Sequence, residues 1–138
     1  MDRYRKVIQE LMGENGMLFE YKRIENMLIT ARPDEYGETF IMFHFERSRI
    51  DNFCVHSQSI DKRLVAEVSL LIREINSKLE PSRFYLDKPS YNLVFSSTFV
   101  KRRNTEPEAI RCFCNHVFES TRKYTREIYE IASYYNCL

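Results

Sequence analysis

Hydrophobic and polar positions along this chain change period several times, and each change marks an element. Between Asp2 and Met12, Tyr4, Val7, Ile8 and Leu11 recur at helical spacing with charges between them, and Gly13 and Gly16 end the run. Side chains three and four apart share one helical face, which predicts a short amphipathic helix packed as a lid on a sheet. The period then shortens to two. Ile24–Ala31 reads as a strand closed by the turn sequence Pro33-Asp34-Glu35-Tyr36-Gly37. Glu38–Glu46 is the clearest strand: Ile41, Phe43 and Phe45 share one face, and Phe40, Met42 and His44 the other. Apolar on both sides, it is expected inside the sheet or with its second face covered. Phe53–Ser57 is a third strand, with Phe53 and Val55 opposite Cys54 and His56. Connections this short imply an antiparallel meander, because a parallel return needs a longer crossover.

Helical spacing resumes after Asp61, which stands at an N-cap position. Leu64, Val65, Val68, Leu71, Ile72, Ile75 and Leu79 form a broad stripe, and Pro81 stops it. Strands at Arg83–Asp87 and Tyr91–Ser96 follow, pairing Phe84 with Leu86 on one face and Tyr91, Leu93 and Phe95 on another. After the loop Lys101-Arg102-Arg103-Asn104, Thr105 and Glu108 have the spacing of a capping box, and Pro107 suits a first turn. Ile110, Phe113, Val117, Tyr124, Ile128, Ile131 and Tyr135 then mark a helix running almost to Leu138. Roughly 30 residues span about 45 Å, more than a small sheet needs, so its end is expected to project, bend or pack on a second subunit. The element order is α-β-β-β-α-β-β-α. The expected class is α+β: an antiparallel five-stranded sheet with helices, in one domain over residues 1–138.

Charge changes the picture by what it removes. The 21 basic side chains nearly balance the 20 acidic ones, for a formal net charge of +1, so the chain as a whole offers no strong electrostatic footprint for nucleic acid or an anionic membrane. No apolar run reaches the roughly 20 residues that span a bilayer, and the first residues lack a signal-peptide core, so the expected compartment is the cytoplasm. There, Cys54, Cys112, Cys114 and Cys137 are expected as reduced thiols. Cys112 and Cys114, two apart on a helix, point to opposite sides, and His44, His56 and His116 are scattered, so no metal is expected. Catalytic motifs are missing as well. The chain has no Gly-x-Ser-x-Gly, no glycine-rich phosphate loop and no HExxH, and turn and cap roles account for Asp51, Asp61 and Asp87. Neither an enzyme nor a cofactor is expected.

Leu70–Val100, with Leu71, Ile75, Asn76, Leu79, Phe84, Leu86, Leu93 and Phe95 in register, resembles the YbjN-like family, and Met27–Ile29 and the strand around Phe43 match it more loosely. The resemblance implies an α+β fold similar to type III secretion chaperones, which are small dimeric proteins that hold a segment of another protein. It implies no enzyme activity. This chain departs from the family in its turns: it has only three glycines, and the loops at Arg47–Asp51 and Lys101–Asn104 are basic.

The leading expectation is therefore a protein-binding module, chaperone-like or a regulatory adaptor, acting on a protein segment or a second copy of itself. The residues expected to carry it are Phe40, Met42 and His44 on the second face of their strand, with Tyr129 and Tyr134, which lie off the main stripe of the last helix. Tyr124 and Tyr135 are expected at the edge of the core. The alternative is weak nucleic-acid or anion binding through Lys101, Arg102 and Arg103, with Tyr85, Tyr91 and Phe99 as stacking candidates. Asn76 is expected to fasten the turn after its helix by bonding backbone groups, a ligand contact being the other reading.

Overall fold

The computed structural model of the chain describes the backbone of residues 2–136 and the side chains of residues 2–134. Expectations for the Tyr135 ring, Cys137 and Leu138 lie outside the described residues. The elements are α1 (Arg3–Glu14), β1 (Phe19–Lys22), β2 (Met27–Asp34), β3 (Gly37–Phe45), β4 (Arg49–Ser59), a 3-10 turn (Lys62–Leu64), α2 (Val65–Leu79), β5 (Arg83–Leu86), β6 (Asn92–Val100) and α3 (Pro107–Asn136). The strands form one antiparallel sheet in the order β1-β2-β3-β4-β6-β5.

The α+β class and the antiparallel sheet are as expected, but the sheet has six strands, not five. The missing one is β1. Phe19-Glu20-Tyr21-Lys22 alternates like any strand, yet it is only four residues long and its turn to β2 contains neither glycine nor proline. Asn26 closes that turn at φ 52°, the left-handed region that asparagine tolerates. Its Nδ2 donates to the Phe45 carbonyl at 2.9 Å, which pins the hairpin to the end of β3. Ile24, expected to begin a strand, sits in this turn and is almost fully exposed. Polar residues also hid the ends of β4 and β6. Both run past the expected spans because each pairs along its length with a neighbour.

Cα partners in an antiparallel pair share a face, so the register sorts the side chains. Phe19, Thr30, Ile41, Cys54, Phe95 and Phe84 form one cross-strand row facing the helices. Tyr21, Leu28, Phe43, Asn52 and Ser97 form the next. Over these rows pack Ile8, Leu11 and Met12 of α1, Val68, Ile72, Ile75 and Leu79 of α2, and Ile110, Cys114, Val117, Phe118 and Ile128 of α3, all buried. All three helices therefore cover the same face, with Phe43 edge-on to both Phe113 and Phe118.

Local signals explain the helix ends. Asp2 caps α1, accepting from the Tyr4 N–H at 2.7 Å, and Asp61 caps the turn before α2, accepting from the Arg63 N–H at 2.9 Å. Hydrogen bonds from the Arg63 side chain, then from its backbone, hold the Asp61 carboxyl down at about 2. The capping box expected at Thr105 does not form. Its hydroxyl instead bridges the Arg102 N–H and C=O at 2.8 Å each, knotting the loop, and α3 starts at Pro107.

Candidate functional site

The face of the sheet away from the helices carries no element of the described chain. Glu20, Ile29, Met42, Phe53, Ser96 and Arg83 cross it as one row, and Ala31, Phe40, Val55, Val94 and Tyr85 as the next. The centre is uncharged. Phe40 is 38% exposed and Phe53 41%, beside half-buried Ile29, Met42 and Val55. Isolated exposed apolar residues need no explanation, but contiguous ones across three strands do. Sequence reasoning placed Phe40, Met42 and His44 on a common face, which is where they lie. It offered cover for that face, and none is present among the described residues. His44 sits at the margin, its Nδ1 3.2 Å from a Glu46 carboxylate oxygen. Phe53 and Val55 were legible as a strand face but not as members of this surface, because only the β3–β4 register puts Phe53 beside Met42.

The two sheet edges differ. Asn76 of α2 lies against β5, with Nδ2 donating to the Phe84 carbonyl at 2.9 Å and Oδ1 accepting from the Phe84 N–H at 2.7 Å. One amide thus imitates an adjoining strand and closes that edge. The expectation that Asn76 bonds backbone groups is right in kind, although the backbone belongs to the next strand and not the turn. At the opposite edge, β1 covers only Met27–Thr30, and β2 runs on to Asp34 beyond it.

Tyr129 does not belong to the surface, which corrects its expected position. It is 4% exposed, its hydroxyl donates to the Gln58 carbonyl at 2.5 Å, and its ring lies 4.2 Å from that of His56. The buried stripe on the last helix is two residues wide, taking in Val117 with Phe118 and Ile128 with Tyr129, so Tyr129 lies inside it although it falls off the narrower apolar spacing. Burial raises the Tyr129 pKa above the ordinary phenol value. Tyr134 is 65% exposed, on the same helix but away from the open sheet face, and Tyr124 is half-buried as expected.

Lys101, Arg102 and Arg103 do not converge. Lys101 turns back to donate to the Glu46 carbonyl at 2.6 Å and lies over the Tyr4 ring, while Arg102 and Arg103 remain exposed. The stacking candidates are dispersed: Phe99 packs on Phe113, and Arg83 sits over Tyr85.

Sequence reasoning also missed a polar row at the end of the core, Arg32, Thr39 and His56. His56 is buried, with Nε2 3.0 Å from Asp34 and Nδ1 accepting from the Gln58 N–H at 3.1 Å. Both ring nitrogens are engaged, which explains a buried histidine without a ligand. Among the described residues no group of three His, Cys, Asp or Glu side chains is placed to hold a metal, and no helix is long and apolar enough to cross a membrane.

The class this architecture defines is the fold that the sequence resemblance implied. It is similar to the crystal structure of YbjN, a candidate transcription regulator from E. coli, with a TM-score of 0.61 at 14% identity over 94% of this chain and 91% of that one. It is also similar to a chain of the ExsC–ExsE complex, with a TM-score of 0.53 at 11% identity over 90% of this chain and 92% of that one. No family model matches the sequence, and no curated protein matches it.

Proposed function

We propose that this protein is a non-enzymatic, chaperone-like binding module of the cytoplasm that works as a homodimer, using the helix-free sheet face around Phe40, Met42 and Phe53. The observation that carries the reading is the one-sided packing: three helices on one face and uncharged side chains at the centre of the other. The likeness to a structure solved as a protein–protein complex supports it.

Dimensions agree with a second copy as the occupant. Six strands spaced about 4.8 Å apart, with nine-residue β3 about 30 Å long, give a face of roughly 700 Å², near the area that each partner contributes to a standard interface. Charge agrees too. Along the central row Glu20 stands at one end and Arg83 at the other. A two-fold axis parallel to the strands sets the Glu20 of one copy against the Arg83 of the other and stacks Met42 and Phe53 between them. Such a self-complementary patch is what an isologous dimer requires.

A phenylalanine side chain presents about 200 Å², so the exposed parts of Phe40 and Phe53 are worth roughly 2 kcal/mol each on burial. Light scattering on the wild type, with Phe53→Glu and Phe40→Glu beside it, tests the reading. Expected are a salt-tolerant dimer for the wild type and, for both variants, monomers that keep the wild-type far-UV circular dichroism and still unfold cooperatively, at the lower melting temperature that loss of the partner implies. A wild type that stays monomeric at high concentration, or variants that dimerise as well as it does, would overturn it.

A further inference from the structure

We propose that the cleft between the β2–β3 turn and α3 is a binding site for a small oxyanion, a carboxylate or phosphate group seated between the guanidinium groups of Arg32 and Arg122. The cleft measures about 200 Å³ and is lined by Arg32, Tyr36, Thr121, Arg122 and Arg126 together with the Pro33–Glu35 turn. That is below the roughly 300 Å³ at which pockets for whole drug-sized ligands begin, and it suits a single charged group.

Arg32 carries the argument. It stands on the helix-facing side of β2, partly buried beneath α3. Its Nη1 donates to the Phe118 carbonyl at 3.1 Å and its Nη2 to the Thr121 hydroxyl at 2.9 Å. Both acceptors are neutral, and among the described residues no carboxylate lies within ion-pair distance of it. Asp34, the nearest acid in sequence, is committed to His56 and to the Tyr36 N–H at 2.8 Å. Arginine has five donors in a planar fork, so donors remain for an incoming oxygen pair.

The neighbours strengthen the case. Arg32 and Arg122 both line this one cleft, and burial first, with the charge of Arg122 second, depresses the Arg32 pKa against the smaller opposing influence of Cys54 and Asp34. Arg122 has no ion-pair partner among the described residues. Arg126, one turn on, is held by Glu130 at 3.3 Å and loosely by Glu35 at 3.7 Å. A half-buried cation beside a second unpaired cation is costly, and an oxyanion between them relieves both. This site stands on the helix-covered side of the sheet and does not depend on the dimer proposed above.

The chemistry has two sources, an acidic side chain of a protein segment or a free phosphate-bearing molecule, and the test has an arm for each. The intact chain at low ionic strength is titrated with inorganic phosphate and, separately, with a blocked glutamate-rich hexapeptide and its glutamine counterpart. The Arg32 side-chain N–H and the amides of the 34–36 turn and Thr121 are followed by NMR. Saturable shifts confined to these groups are expected. Arg122→Gln, an exposed position that leaves the packing alone, should weaken them by about tenfold, the worth of one charge-assisted contact, while Arg103→Gln on the basic loop should not. Binding of the acidic peptide ahead of phosphate assigns the site to a protein segment, and the reverse assigns it to a free anion. No saturable shift at Arg32 with either probe, or shifts indifferent to Arg122→Gln, overturns the proposal.

Discussion

Replacing Asn76 by alanine should cost about 2 kcal/mol of stability, although the residue touches no part of the proposed binding surfaces. The amide makes two hydrogen bonds, both to the backbone of Phe84, a residue 1% exposed. Each is worth about 1 kcal/mol net, and the penalty for an unmade buried bond is about 1–3 kcal/mol. The lower figure applies here. An open depression lined by Asn76, Ser77, Glu80, Pro81, Ser82 and Arg83 lets water reach the vacated groups. For a chain of this length about 2 kcal/mol corresponds to a fall in melting temperature of roughly 6–8 °C, and to a shift in the urea midpoint with unchanged slope. Ser77→Ala, which removes only the bond from an exposed hydroxyl to the Glu74 carbonyl, is the control and should stay within about 0.5 kcal/mol. Asn76→Asp sharpens the test. Its carboxylate still accepts from the Phe84 N–H but sets a second oxygen against the Phe84 carbonyl, so it should be less stable than the wild type at neutral pH. Protonation restores a donor to that carbonyl. The carboxyl's folded-state pKa is therefore raised, and the deficit should shrink as pH falls through it. An alanine variant indistinguishable from the wild type, or an aspartate variant whose deficit ignores pH, would refute the edge-closing role.

Gly37→Ala should destabilise by about 1–3 kcal/mol, since Gly37 holds φ at 151° and an added Cβ meets Ser57 Oγ, which is itself fixed by the Glu38 N–H at 3.0 Å; urea unfolding reads it. Cys112 is exposed, whereas burial pushes the Cys54 and Cys114 thiols up to about 12. Iodoacetamide on the native protein at mildly alkaline pH should therefore modify Cys112 and spare the two buried thiols, as peptide mass mapping would record; equal labelling of all three contradicts the packing. The same two thiols keep their protons when folded at a pH where the unfolded chain releases them, so stability should decline from about pH 9 upward, and replacing both by alanine should flatten that decline.

Periodicity alone determined most of the framework: three helices, the antiparallel pairing and the two faces of β3. Those properties repeat along one segment, and burial enforces the same period that the sequence displays. Capping at Asp61 was of the same kind, being local. β1 was not legible, because four residues carry too few alternations and Asn26 does the turning that glycine usually signals. Thr105 followed a capping pattern and yet bonds the Arg102 backbone, since a competing local partner was nearer.

The sequence named Phe40, Met42 and His44 as companions, and tertiary structure decided that they are uncovered. Which face of a two-sided strand receives the helices depends on the sum of every strand's apolar side, a property of the assembled sheet. Register then added Phe53 and Ile29 to that surface, and the width of the buried stripe on α3 took Tyr129 out of it. Arg32 and Arg122 are 90 residues apart in the chain. No pattern along it links them, and only the docking of α3 across the end of the sheet brings them to one cleft.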